Sequence, residues 1–251
     1  MMTSHLWRLA KPIKSKLVTS CVLSLLLAVT TPALADYDPS GQVPPHDGTG
    51  TTTLGPRSEC ENSEGLPLTV LAPLKYVGKT ISLHPTFVWF VPGSKSFAME
   101  FSLFEYGADN QLKLVQKLEL MSSPGIMKLS LKEDKPGLAV GHKYFWQVKI
   151  LCQPSNKSPA LVAQANIEVV QMPSALERAL SRTTERSQRV ELYTKEDLWY
   201  DALGEALGTA GDSRLGAVAL NLLEALAKSE EPDQSANLSQ VISHAQKALA
   251  P

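Results

Sequence analysis

The chain has little of what catalysis usually needs. It carries three cysteines and five histidines in 251 residues. The patterns G-x-S-x-G, S-x-x-K, H-E-x-x-H and G-x-x-x-x-G-K-[ST] are absent, which removes the familiar signatures of hydrolases, zinc peptidases and nucleotide-binding loops. Missing motifs do not exclude an enzyme, but they make a binding or structural role the better expectation. No apolar run reaches the roughly 20 residues that a spanning helix requires. Acidic residues are missing from the first thirty-five positions, where Arg8, Lys11, Lys14 and Lys16 supply the only charge.

That last absence is informative. A basic start, an apolar stretch from Leu17 to Val29 and the small-x-small ending Ala33-Leu34-Ala35 form an export signal over residues 1–35, cut after Ala35. A membrane anchor is the competing reading, but the run is short and holds Thr19, Ser20 and Ser24. The expected location is therefore exported, periplasmic or extracellular. The mature chain keeps 20 of 24 basic and all 25 acidic residues, a net charge of −5. That sign argues against nucleic acid or anionic lipid as a partner, and no stable membrane insertion is expected after cleavage.

Cys21 leaves with the signal, and the segment before it is a poor lipoprotein signature. Cys60 and Cys152 remain. An even count in an exported chain favours one disulfide between them, with two buried free thiols as the alternative. Zinc is not expected, since two distant cysteines without a histidine pair do not make a tetrahedral site.

Residues 36–57 are rich in Pro, Gly and Thr and poor in large apolar side chains, so they read as a solvated lead. Asp36, Asp38, Ser40, Gly41 and Asp47 have the spacing of a calcium loop. The prolines among them, the missing bidentate Glu and the lack of flanking helices argue against it, and no metal or other cofactor is assigned.

Residues 58–172 read as seven short strands. The first is Leu66 to Ala72 and the second Thr86 to Val91, apolar on both faces. Phe97, Met99, Phe101 and Leu103 alternate with polar partners before a turn at Gly107 to Asn110. Leu112, Leu114, Leu118 and Leu120 are expected on one face of the next, with Lys113, Lys117 and Glu119 on the other. Ile126 to Leu131 follows. Then Tyr144, Trp146, Val148, Ile150 and Cys152 share a face, and Ala163, Ala165, Ile167 and Val169 point inward from the last strand. This pattern predicts an antiparallel β-sandwich. Trp89 with Pro92, and the run from Leu138 to Val148, resemble strands of fibronectin type III modules. Cys60 precedes the first strand, so the inter-sheet bridge of immunoglobulins would not form. Trp89, Trp146 and the phenylalanines are read as core.

From Pro173 the period becomes helical, and residues 173–251 are expected to form a helical hairpin or small bundle packed on the sandwich or on itself. A polar helix starts at Pro173 with Leu176 and Leu180. Thr194 and Asp197 loosely resemble a capping box for the stripe Leu198, Trp199, Ala202, Leu203, Ala206, Leu207. Asp212 or Ser213 is read as the cap of the next helix, striped by Leu215, Val218, Ala219, Leu222, Leu223 and Leu226. Pro232 ends it, and Leu238, Val241, Ile242, Ala245 and Leu249 mark the last. Tyr200, Leu203, Gly204, Leu207, Gly216, Leu220 and Leu223 fall near tetratricopeptide positions, but one unit is not an array. The fold class is thus α+β, mainly β: an immunoglobulin- or fibronectin-III-like sandwich followed by helices. The sandwich is expected to fold without the tail, and the tail not to fold alone.

No catalytic or binding residue is assigned. His84 and His142 read as turn residues, and Glu133–Asp134 and Glu230–Glu231 as solvated loop charges.

Several segments together carry a family resemblance: Cys60, Leu68 to Pro73, His84 to Pro92, Pro124 to Leu131, Val140 to Trp146, Cys152, and Leu198 to Leu203. In this order they resemble the exported cyanobacterial family catalogued as domain of unknown function 928, from about Arg57 to Leu226. Lys157–Ser158 approximates the basic residue and serine that the family carries after its second cysteine. The resemblance implies an exported, paired-cysteine sandwich with helices and transfers no activity or site residues. Two functions are weighed: an interaction or structural module with a protein partner at the cell envelope, and an envelope hydrolase or other enzyme with an unrecognised site. A cleft gathering His84 or His142 with carboxylates and a hydroxyl would favour the enzyme, and a flat apolar patch on helices 198–226 the binder. Oligomeric state is not legible.

Overall fold

The computed structural model describes Tyr37, the backbone of Thr52–Thr53, and residues 65–151, 161–208 and 215–247. Among these residues nine strands come first: β1 (Thr52–Thr53), β2 (Thr69–Val70), β3 (Gly78–Thr80), β4 (Thr86–Val91), β5 (Ala98–Tyr106), β6 (Leu112–Met121), β7 (Gly125–Ser130), β8 (Lys143–Leu151) and β9 (Leu161–Val169). Five helices follow: α1 (Ser174–Leu180), α2 (Arg186–Lys195), α3 (Trp199–Leu207), α4 (Ala217–Ser229) and α5 (Pro232–Lys247). The class is α+β.

One sheet has the order β1-β9-β8-β5-β6, with β3 also paired to β9; the other is β2-β4-β7. All pairings are antiparallel except β3 with β9. Period-two patterning builds the large sheet as expected. Met99, Phe101 and Leu103, then Tyr144, Trp146, Val148 and Ile150, then Ala163, Ala165, Ile167 and Val169 are all buried. Across the gap, β4 contributes Phe87 and Trp89. Phe87 lies 5.1 Å from both Phe101 and Trp146, and Trp89 lies 6.4 Å from Trp146. Such tilted pairs each add about 0.5–1.5 kcal/mol beyond the area they bury. Trp89 and Trp146 are fully buried core residues. The other face of β4 is covered too, since Phe90 meets the ring of His244 in α5 edge-on at 5.4 Å. Hence β4 is apolar on both sides, and α5 makes a third layer over it.

Several sequence expectations are corrected. The first strand is only Thr69–Val70, and β3 was not foreseen. A register shift opposite Leu103/Phe104 makes Val115 a bulge: Gln116 pairs with Leu103, but Leu114 pairs with Phe104. An extra residue reverses the side-chain alternation. Leu112 and Leu114 therefore leave the face that Leu118 and Leu120 share, and both are exposed. The turn at Gly107 to Asn110 forms as read, with Asn110 at φ 56°, a conformation asparagine tolerates.

The lead is not wholly solvated. Tyr37 is buried 4.9 Å from Trp199, and Thr52–Thr53 pair with Val162 and Leu161. A single large aromatic can anchor a segment that lacks a core of its own. The polar stretch after Pro173 is two helices, broken at 181–185. Thr194 and Asp197 form no capping box: Thr194 lies in the last turn of α2 with its hydroxyl donated to Val190 O, and Leu198 is the N-cap of α3. Gly216, not Asp212 or Ser213, precedes α4. Asp36, Asp38, Ser40, Gly41, His46, Asp47, Cys60, Cys152, Asp212, Ser213 and Leu249 lie outside the described residues. Among those described, no helix is long and apolar enough to cross a membrane.

Candidate functional site

The polar groups of the molecule converge on the seam where α2 and α3 meet the strands. Three successive residues at the start of α3 each bond to a different part of the sandwich. Trp199 Nε1 donates to Leu71 O at 3.0 Å. Tyr200 accepts from Trp146 Nε1 at 2.8 Å and donates to Asn166 O at 3.0 Å. Asp201 accepts the Ile81 N–H at 3.0 Å. Helical geometry spreads consecutive side chains by about 100°, so one turn of α3 reaches β2, the core and β3 together. Gly78 makes the approach possible, because a Cβ there would lie 2.7 Å from the Tyr200 ring.

Two further carboxylates complete the seam. Asp197, at φ 57°, takes Lys79 Nζ at 2.8 Å. Glu230 accepts the N–H groups of Leu74 and Lys75, each at 3.0 Å. Glu230 is buried, against the expectation of a solvated charge. Glu231 does stay exposed, with Lys75 at 3.3 Å. Burial holds the Glu230 carboxyl above its usual range, opposed by the two N–H bonds. Asp201 is pushed up to about 6, chiefly by burial, with the Ile81 N–H and Thr80 hydroxyl pulling the other way. Both acids act as acceptors for backbone N–H groups that the helices would otherwise cover without partners.

Next to Asp201 the seam opens into a shallow cleft of about 180 Å³ that gathers Thr80, Ser82, His84, Thr86, Tyr193 and Glu205. It continues into a space of about 250 Å³ lined by Lys128, Ser130, Arg186 and Gly208. Its groups are largely engaged with one another. His84 Nε2 is 3.1 Å from Lys135 O, Thr86 and Ser130 share a 2.7 Å hydroxyl bond, and Lys128 Nζ donates to Gly208 O at 2.8 Å. Arg189 bridges Glu205 at 3.2 Å and the Tyr193 hydroxyl at 3.2 Å. Taken singly, each space is smaller than the ~300 Å³ at which ligand pockets usually begin, but the two joined exceed it. His142 lies elsewhere, paired to Glu105 at 2.6 Å. Glu133 and Asp134 are exposed. Among the described residues no cluster could hold a metal ion.

Sequence reasoning placed His84 in a chain bend, as found, but missed the half-buried Asp201 and the buried Glu230 as acceptors. The available signal was an acid inside an apolar stripe: Asp201 sits between Tyr200 and Ala202, in the segment that carried the family resemblance. The apolar stripes of α3 and α4 face inward, so the flat patch expected of a binder on 198–226 is not what these helices present.

A two-sheet body with helices fused to it through a hydrogen-bonded seam defines a class of architecture, not an activity. The family described as Domain of Unknown Function (DUF928) matches residues 52–236, and the chain belongs to it. That span includes every seam residue named above and reaches into α5. No curated protein matches the chain.

Proposed function

We propose that the protein is exported and serves as a non-enzymatic interaction or structural module of the cell envelope, periplasmic or extracellular, with a protein partner there. The observation that supports the non-enzymatic part is the engagement of the seam. Asp201, Glu230 and Tyr200 spend their hydrogen-bonding capacity on joining helices to strands, and the polar groups of the cleft beside them are largely engaged with one another. Export rests on the basic start, the apolar run and the cleavage pattern at Ala35. The strand orders β2-β4-β7 and β3-β9-β8-β5-β6 support an immunoglobulin- or fibronectin-III-like reading of the sandwich, as the A-B-E and A′-G-F-C-C′ arrangement.

The test is affinity capture from envelope extracts with the mature chain as bait. An envelope protein retained in stoichiometric amount, and equally by His84→Ala, is the expected result. The second reading, an envelope hydrolase or other enzyme, is favoured by two observations: His84, Ser82, Asp201 and Glu205 line the same cleft, and α3 and α4 turn their apolar stripes inward instead of presenting a flat patch. Turnover of an ester, amide or glycan substrate that His84→Ala abolishes would replace the first reading with the second. Export predicts Asp36 at the N-terminus of the mature protein. Pairing of Cys60 with Cys152 predicts that thiol labelling of the exported protein finds no reactive cysteine before reduction. Two reactive thiols would remove the disulfide.

A further inference from the structure

We propose that the open edge of β6 pairs with the β6 edge of a second copy of this chain, antiparallel about a two-fold axis at Leu118, so that Lys117 of each copy faces Glu119 of the other. Among the described residues, β6 ends the large sheet and its one strand neighbour is β5.

The ladder decides which groups are on offer. Ser122 N donates to Phe97 O at 2.8 Å, which makes Ser122/Phe97 a bonded pair. In an antiparallel ladder bonded and non-bonded pairs alternate. Leu120, Leu118 and Gln116 therefore bond toward β5, while Met121, Glu119 and Lys117 turn their N–H and C=O groups to the open side. The bulge at Val115 limits the regular edge to the stretch after it.

Charge then selects the register. An axis at Lys117 sets lysine against lysine, and an axis at Glu119 sets glutamate against glutamate. Like charges directly opposite are destabilising, and opposite charges favourable. The axis at Leu118 opposes Lys117 to Glu119 twice. It also brings Met121, 64% exposed, alongside the bulge of the other copy, where Val115 is 46% exposed. Within the chain, Glu119 sits across the ladder from Glu100. Glu100 takes Lys117 at 2.6 Å and Lys149 at 3.8 Å. A lysine from a second copy would extend that row to Lys149, Glu100, Glu119, lysine, ending the juxtaposition of two acids at the edge. Lysines and bulges commonly guard an edge against pairing. Here the lysine has an acid at the matching place, so the same residues choose a register. The inference depends neither on where the protein resides nor on the role of the seam.

The experiment measures the molar mass of the mature chain by light scattering across a wide concentration range. A concentration-dependent dimer is expected. Glu119→Lys should weaken it roughly tenfold or more without lowering the melting temperature, because the new lysine faces Glu100 in its own sheet. Lys117→Glu should also lose self-association. An equimolar mixture of the two variants should dimerise again, since every facing pair is then of opposite sign. A wild-type chain that stays monomeric throughout, or a dimer that Glu119→Lys leaves intact, overturns the proposal. Should Lys117→Glu fail to fold, the Glu119→Lys result decides alone.

Discussion

The space between the two sheets and the seam beneath the helices both exclude water, but they are held differently. Between the sheets, rings and aliphatic chains meet without direction, and Trp89 Nε1 is buried with no hydrogen-bond partner among the described residues. At the seam almost every large residue also carries a directed bond: Trp199 to Leu71, Tyr200 to Trp146 and Asn166, Asp201 to Ile81, Glu230 to Leu74 and Lys75. Non-directional packing tolerates small shifts of one sheet over the other. Short polar contacts do not, because a buried donor or acceptor left unmade costs about 1–3 kcal/mol. The difference teaches that the sheets are joined by area, while the helices are fixed in place by a few specified atoms.

Truncation tests the comparison most severely. One apolar cluster runs from Leu68 through Trp146 and Trp199 to Ile242. Residues 36–172 made alone should expose the Trp146 N–H and the Phe87 edge that α3 covers. We expect a large drop in melting temperature for this fragment and no cooperative melt for 173–251, read by circular dichroism. A sandwich fragment melting with the full chain would show that the seam adds nothing to the sheets.

The next test is pH. Asp201 holds its proton up to about 6 in the fold against an ordinary 3.8, so folding takes up a proton between those values. A carboxyl raised in this way stabilises the fold at low pH, and that contribution is lost as pH rises through about 6. The span is worth at most roughly 3 kcal/mol, and Glu230, also raised by burial, acts with the same sign. Denaturant midpoints of wild type and Asp201→Asn should therefore differ by an amount that changes across this window, wild type gaining on acidification. A constant difference would show that Asp201 does not titrate there.

A matched pair of substitutions isolates the hydrogen bond from the packing. Trp199→Phe and Trp89→Phe remove the same atoms from fully buried sites, but only the first orphans an acceptor, Leu71 O. Trp199→Phe should cost about 1–3 kcal/mol more. Equal losses would make the seam an ordinary apolar contact. The smallest effect belongs to Lys79→Ala, which removes the partly exposed 2.8 Å pair with Asp197. About 1 kcal/mol is expected from the same denaturation measurement.

Much of the sheet was legible in the chain because its signal is local. Alternation in 97–103, 144–150 and 163–169 names the inward residues, and Thr86 to Val91, apolar on both faces, announces a strand covered on both sides. Periodicity failed where one residue changes parity, at Val115, since no local pattern marks a bulge that the pairing with β5 creates. It failed again at β3, three residues whose one strand partner among the described residues is β9, far along the chain. The seam was the least legible part. Trp199, Tyr200 and Asp201 look like one apolar stripe interrupted by an acid until their three separate partners are in place.

The sequence by itself therefore determined the order of strands then helices and the inward residues of β5, β8 and β9, since hydrophobic burial acts through spacing along the chain. Only the tertiary structure decided what Asp201 and Glu230 do, and where the chain's aromatic donors find acceptors. A hydrogen bond depends on atoms meeting within about 3 Å, and residues as distant in sequence as Leu74 and Glu230 are brought that close only by the completed fold.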